Sequence, residues 1–492
     1  MPSTVLSFDV GSTVLKAGLF DRSSGALLGV ESTRLTTATD ATGKREQSPH
    51  EIIHGLSSVI EAFKQTHSGA FARLGGVAVA GQGGSACLVH RTTGEAFTPL
   101  YVWNDARTFP RHETVCQLMP VSFWRSFTWR DEPGVGLARV AWLRNQYPQH
   151  FNCDTILAGA ADFVFFHLTG VWRQDACHAL QNGCYDVTRD QLSALGPALI
   201  NETLERYPAL RRGHELATTV EGSAALGIPA GIPVAGPYMD HEAAYLAAAA
   251  SSNTPLLASL GTAWVGTFST ATAVPDGSPF QLVMGNPASA GHLVIQPLLT
   301  GNVSWDWALT TFLDPEIATA IAAADALFAA KPFPNPGQVI LPWLNRPNLM
   351  QRDLLGGGVY FGISPATDKG EIVRTLAFSL VAEFRRVFEQ VTTNGAAKSL
   401  LLFGGTSRSL HFQQLMAASF PEVPVLCVTE ADTLGLRGAM TAFGSQLAAV
   451  AVRQVPAPDK TFRDAMASRQ MLYQQVYNTL GHLEPVGKAY TL

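Results

Sequence analysis

The chain has no Cys-x-x-Cys pair. Its six cysteines (Cys87, Cys116, Cys153, Cys177, Cys184 and Cys427) are scattered along 492 residues. That scatter argues against zinc and thioredoxin-type chemistry and reads as reduced thiols in a cytoplasmic protein. Charge is also scarce. Only 15% of residues are charged and the net charge is -5, so nothing global attracts nucleic acid or an anionic membrane. Long apolar runs are missing: the most apolar stretch, "AAYLAAAASS", is too short to span a bilayer. The N-terminus "MPSTVLSFDV" lacks the basic n-region and cleavage site of a signal peptide. No amphipathic helix follows the first glycine turn at Gly11, which counts against a dinucleotide fingerprint or a P-loop.

What is present is a globular, enzyme-like composition, 47% hydrophobic, in a chain too long for one core. Two or more domains are expected. The stretch "TVLSFDVGSTVLKAGLFD" has two runs rich in Val, Leu and Phe around "DVGST". It reads as a hairpin whose tip carries backbone N–H groups, two hydroxyls and the Asp9 carboxylate. Such a tip can hold phosphate, with the carboxylate facing a metal or cation. It also suits an ordinary hairpin with polar turn residues.

A third strand is expected in "GALLGVESTRL". An amphipathic helix follows, with Ile52, Leu56, Val59, Ile60 and Phe63 at helical spacing. "RLGGVAVAGQGG" reads as a buried strand ending in a glycine loop, "AFTPLYVWNDAR" as a further strand and loop, and residues near 137–170 as helical. "GIPVAGPYMDHEAAYLAAAA" reads as strand, loop and helix. The hairpin pattern then recurs in "TPLLASLGTAWVGTFST", where Gly261 lies 250 residues after Gly11. A long helix ("EIVRTLAFSLVAEFRRVFEQV") and a strand ("SLLLFGGTSRS") come after it, as a helix and strand came after the first hairpin. The order implies a duplicated α/β domain, with residues 1–250 and 251–492 flanking an interdomain cleft that suits a nucleoside triphosphate.

Asp240 follows an apolar strand and opens a helix. Aspartate there is a favoured N-cap, and it is equally a candidate base for accepting a hydroxyl proton. Trp103, Asn104, Asp105 and Arg107 share one loop, offering an aromatic face and directional polar groups suited to a polyhydroxylated ligand. The same four residues could form a surface turn. Gln82, at a strand end beside glycines, has the same two readings. Gly404 and Gly405 end a strand where a flat ligand could approach the backbone, or where a plain turn precedes a helix.

Taken in order, "SFDVGST", "VAVAGQGG", "YVWNDAR", "GPYMDHEAA", "SLGTAWVG" and "LLFGGTSRS" resemble the FGGY carbohydrate kinases over nearly the whole chain. That family has the ribonuclease-H-like ATPase fold of actin and hexokinase. The resemblance implies an ATP- and Mg2+-dependent kinase acting on a primary hydroxyl of a small ketose, such as a pentulose, or of a polyol. It assigns Asp9 to the metal and phosphates, with Gly11, Ser12, Thr13 and Lys16 beside the transferring group. Gly261 and Thr262 then meet the other phosphates, Gly404, Gly405 and Thr406 the adenosine, and Asp240 serves as base. Gln82, Trp103, Asn104, Asp105, Arg107 and His241 fall where the sugar binds. The implied partners are a small sugar or polyol and ATP, with a homodimer left open.

Several positions depart from the xylulokinase pattern. Gly83-Gly84 replaces Met-His after the glutamine, His241 replaces Asn after the catalytic acid, and Thr406 replaces a third glycine. Thr375-Leu376 stands for Glu-Gly in the long helix. The Arg-Glu pair that glycerol kinases carry around the Gln82 strand is absent. Two rival readings are a non-kinase ATPase of the same fold and an inactive sugar-binding or regulatory protein.

Overall fold

In the computed structural model, which describes residues 2–271, 281–298, 300–343 and 358–480, the chain divides into two compact units. One gathers Met1–Ser251, Thr270–Val294 and Asp432–Val450. The other gathers Ser252–Ser269, Ile295–Ala431 and Ala451–Leu492. The boundary expected at 250/251 therefore marks only the first crossing, because two later segments pack with the N-terminal residues.

The first unit is built on a six-stranded sheet. Its strands are β1 (Thr4–Val10), β2 (Val14–Asp21), β3 (Leu27–Arg34), β4 (Leu74–Gly81), β5 (Leu216–Thr218) and β6 (Pro233–Met239), in the order β5-β6-β4-β1-β2-β3. β1 and β2 pair antiparallel as the expected hairpin, while β4 runs parallel to both β1 and β6. Every residue of β4 is buried, as a strand covered on both faces requires.

Alternation along β1 sorts its side chains onto two faces. Leu6, Phe8 and Val10 pack with Ile52, Leu56 and Phe63 of helix α1 (Pro49–Thr66). That helix starts where Ser48 caps the Glu51 N–H at 3.4 Å and proline occupies its first turn. Val5 faces the other way, into a cluster with Ala78, Ala80, Leu246, Leu436 and Ala439. Ser7 shares that face and donates to the Leu436 carbonyl at 2.7 Å. Leu246 belongs to a helix over Asp240–Ser251, and Leu436 and Ala439 to a short helix over Leu434–Ala439. This packing is what returns Asp432–Val450 to the first unit.

Helices α2 (Phe109–Cys116), α3 (Val121–Thr128) and α4 (Val135–Gln146) follow the Trp103–Arg107 loop, and α5 is the Asp240–Ser251 helix just described. The strand expected in "AFTPLYVWNDAR" is only Leu100–Tyr101. Beyond it Asp105 caps a single 3-10 turn, which takes the backbone out of extended geometry.

In the second unit, β7 (Pro255–Leu260), β8 (Trp264–Thr270), β9 (Ser399–Phe403), β10 (Val425–Val428) and β11 (Val452–Gln454) run in the order β8-β7-β9-β10-β11. β7 pairs antiparallel with β8 and parallel with β9, and β9 pairs parallel with β10. These pairing senses repeat those of β2, β1, β4 and β6. Helices α6 (Asn302–Phe312), α7 (Lys369–Thr393) and α8 (Leu410–Ser419) complete the part that matters for the site. Each unit is thus a mixed α/β layer structure around one hairpin and its parallel neighbours.

Candidate active site

Three parallel strands of the first unit stop side by side. Val10 pairs with Gly81 and Gly81 pairs with Met239, so Asp9, Gln82 and Asp240 come from adjacent strand ends, the usual ligand-binding edge of a parallel sheet. Asp9 lies on the β1 face covered by α5. Burial, followed by the charge of Asp240, lifts its carboxyl to about 6, with Lys16 opposing the shift. Lys16 is the cross-strand partner of Asp9, and its ammonium stands 3.7 Å from the Asp432 carboxylate. Room at Asp9 depends on Gly435: a Cβ there would lie 2.7 Å from Asp9 Oδ2.

Asp240 is the first residue of α5, half-buried. Its Oδ1 accepts the His241 N–H at 2.7 Å, and among the described residues nothing bonds its second oxygen. Glu242, not Asp240, reaches back to the Met239 N–H at 3.3 Å, and its other oxygen is held by the buried Arg211 guanidinium. The capping work expected of Asp240 is therefore shared with Glu242, which leaves the Asp240 carboxylate largely unspent.

The β1–β2 connection is three residues, Gly11, Ser12 and Thr13. The Gly11 N–H closes the turn on the Val14 carbonyl at 3.0 Å. The Ser12 carbonyl is held by Gln47 Nε2 at 2.7 Å and Thr37 Oγ1 at 3.0 Å. Among the described residues the Ser12 and Thr13 N–H groups have no protein acceptor. A tight turn with its carbonyl pinned and its N–H groups free is an anion cradle. Gln47, which the sequence reading missed, also accepts from Gln82 Nε2 at 2.8 Å.

Around Gln82 the glycines sit against neighbouring side chains, and Gly84 also has φ +70°. A Cβ on Gly84 would sit 2.4 Å from Gln181 Oε1, and one on Gly83 would sit 2.9 Å from Met239. The side chains of Gln181 and Met239 thus occupy the space that larger residues at 83 and 84 would need. Arg139, fully buried, ties this loop to the next one. It donates to the Gly84 carbonyl and, at 3.2 Å each, to the Val102 and Trp103 carbonyls. Its guanidinium is pulled down to about 10 by burial.

In the Trp103–Arg107 loop the side chains divide. Trp103 is 51% exposed and Asp105 is fully buried. Asp105 Oδ2 accepts the Arg45 N–H at 2.8 Å and Arg107 Nη2 at 2.7 Å, while Oδ1 accepts Arg107 Nε at 3.0 Å. Arg107 also reaches Glu46 at 2.7 Å. Asp105, expected to offer its carboxylate to a sugar, instead spends both oxygens orienting Arg107 and the backbone. Among the described residues Gln82 Oε1, Asn104 Oδ1 and Gln181 Oε1 are buried acceptors without a protein donor, the kind of group a ligand hydroxyl satisfies. His241 is half-buried at the start of α5, and its side chain has no bond among the described residues.

In the second unit the β7–β8 connection is also three residues, Gly261 to Ala263. Asn302, the first residue of α6, gathers the surroundings. Its N–H donates to the Gly261 carbonyl at 3.2 Å. Its Oδ1 accepts Trp264 Nε1 at 3.1 Å and Thr406 Oγ1 at 2.5 Å. Gly404 has φ +97°, and a Cβ there would meet the Leu260 carbonyl at 2.8 Å, so glycine is needed twice over. The structure therefore brings Gly261, Thr262, Gly404, Gly405 and Thr406 together around Asn302, a residue with no signal in the sequence.

Sequence models of the FGGY family of carbohydrate kinases match this chain twice. The N-terminal domain matches over residues 4–247 and the C-terminal domain over 256–451. The L-xylulose/3-keto-L-gulonate kinase of Escherichia coli is 24% identical, with 97% of this chain and 96% of that protein aligned. The erythritol kinase of Brucella abortus is also 24% identical, over 92% of this chain and 88% of its own. Among solved structures, xylulose kinase from Rhodospirillum rubrum superposes with a TM-score of 0.85 at 22% identity, covering 97% of this chain and 99% of that one.

Proposed function

The chain belongs to the FGGY family of carbohydrate kinases, and on that premise we propose that it phosphorylates a primary hydroxyl of a small ketose, a pentulose such as xylulose, or of a polyol, with Asp240 as the general base. The observation that supports this reading most is the placement of Asp9 and Asp240 at strand ends on either side of β4, with the N–H groups of Ser12 and Thr13, which have no protein acceptor among the described residues, on the adjoining turn. A hydroxyl held at Asp240 passes its proton to the carboxylate as its oxygen attacks the γ-phosphorus of ATP, and ADP leaves.

The remaining roles follow the site's chemistry. Ser12 and Thr13 receive phosphoryl oxygens, with Lys16 adding positive charge. Gly261, Thr262, Gly404, Gly405 and Thr406 contact the rest of the nucleotide. Gln82, Asn104, Arg107 and His241 give a sugar its polar partners, Trp103 gives it an apolar face, and Asp105 orients Arg107 from behind.

Magnesium fits the donor set: Asp9 is a hard oxygen ligand whose carboxyl is raised by burial and by Asp240, and a nearby cation relieves both effects. Asp9 would hold the ion, which when bound offsets phosphate charge.

The test is a panel of ketoses and polyols incubated with ATP and Mg2+, comparing the parent with Asp240→Asn and His241→Asn. The proposal expects one or a few sugars phosphorylated by the parent, none by Asp240→Asn, and a changed ranking for His241→Asn. A non-kinase ATPase would hydrolyse ATP with no sugar product, and an inactive sugar-binding protein would do neither.

A further inference from the structure

Away from these residues, α2 and the loop before α4 bring one imidazole, one thiol and one carboxylate to a single point. His112 and Cys116 lie four apart on α2, hence on one helix face. Glu132 comes from the segment after α3. His112 Nε2 is 3.3 Å from Cys116 Sγ and 3.4 Å from Glu132 Oε2, and Sγ to Oε2 is 3.9 Å. All three side chains are buried, each residue at 9% exposure or less.

Two physical arguments bear on this triangle. The first is geometric. Tetrahedral zinc with ordinary Zn–N, Zn–S and Zn–O bonds holds its ligand atoms roughly 3.4–3.6 Å apart, and the three edges here bracket that spacing. The second concerns protons. A Cys-His-acid triad would use both ring nitrogens, one for the thiol and one for the acid. Here thiol and carboxylate converge on the same nitrogen, which has at most one proton to share. Among the described residues the other charge at the cluster is Arg130, whose Nη2 is 3.6 Å from Glu132 Oε1 and whose Nε has no hydrogen-bond partner. A guanidinium that loosely placed leaves Oε2 available.

We propose that His112, Cys116 and Glu132 bind a borderline divalent transition metal of the zinc class, with Cys116 as thiolate and its proton released to solvent. The mixed N, S and O donors select such an ion over magnesium or calcium, which prefer oxygen ligands alone. Its role is structural: it clips the C-terminal turn of α2 to the segment leading into α4, and α2 starts two residues after Arg107. The lack of a Cys-x-x-Cys pair, which argued against zinc, does not apply to a site assembled from one cysteine, a histidine one helical turn away and a glutamate from another segment.

Cobalt(II) is the direct probe, because a thiolate ligand gives it a sulfur-to-metal charge-transfer absorption that oxygen ligands do not. The full-length protein, freed of metal by chelation, is titrated with Co2+ and separately with Zn2+. One equivalent of Co2+ should bind with that band. Cys116→Ser should abolish the band, and His112→Gln and Glu132→Gln should weaken Co2+ binding at least about tenfold. Cys153→Ser, which changes the exposed thiol, should leave the band intact. Zn2+ should raise the melting temperature of the parent but not of Glu132→Gln, whose fold is checked by circular dichroism. No uptake of either ion by the parent, or an undiminished band in Cys116→Ser, overturns the site.

Discussion

Asp9 and Asp240 end strands on either side of β4, and the charge of Asp240 adds to burial in raising the Asp9 carboxyl to about 6. Two carboxylates kept this close cost folding energy, and proteins retain such arrangements where chemistry uses them.

If Asp240 is the base, Asp240→Asn should lower kcat by about 10²–10⁴-fold. Its backbone contact to the His241 N–H can be kept by asparagine, and Glu242 still caps Met239. Circular dichroism and ATP affinity should therefore match the parent. Turnover within a few-fold of the parent at saturating sugar would remove Asp240 from the role.

Asp9→Asn should abolish transfer yet stabilise the apoprotein above neutral pH. A carboxyl whose folded pKa is raised binds its proton more tightly in the folded state, so its contribution is fullest below about 4 and declines as pH rises towards 6. The melting temperature of Asp9→Asn should exceed the parent's by on the order of 2 °C at pH 8, and the gap should close by pH 4. Melts without divalent cations check this, and an equal gap at both pH values would contradict it.

Asp105→Asn should act through Arg107 and the loop backbone. Asp105 is buried but Arg107 is partly exposed, so the cost falls below the roughly 3–5 kcal/mol of a fully buried pair, and Arg107 would lose its fixed orientation. We expect a raised KM for sugar and a lower melting temperature, with basal ATP hydrolysis nearly unchanged. Sugar KM at the parent value would show that the loop does not touch substrate.

Gly404→Ala should weaken nucleotide binding, since its φ of +97° and the Leu260 carbonyl both exclude a Cβ. The strain is about 1–3 kcal/mol. Gly405→Ala meets only Asn302 Nδ2 at 3.6 Å and should be milder. ATP titrations of the two variants should differ in that order.

Much of this was legible in the residues. Both hairpins, the buried strand over Leu74–Gly81 and helix α1 follow from short-range periodicity, and glycine at 11 and 404 marks turns. What stayed hidden depends on residues far apart in sequence. Gln47 pinning the Ser12 carbonyl, Arg139 bridging two loops, Gly435 clearing space at Asp9 and Asn302 gathering the second turn have no local pattern. Asp105 looked like a sugar ligand because its neighbours are polar, and only the packed fold shows its oxygens already engaged.

The helix over Leu434–Ala439 has a consequence for how the chain is made. Its Leu436 and Ala439 cover the face of β1 that carries Ser7 and Asp9, yet they are synthesised more than four hundred residues later. Until residues 434–439 have been made, Val5, Phe20, Ala78 and Ala80 lack part of their cover, and the growing chain presents an apolar sheet face to the cell. Expressing residues 1–251 alone freezes the protein at that stage, and such a fragment should depend on chaperones or aggregate.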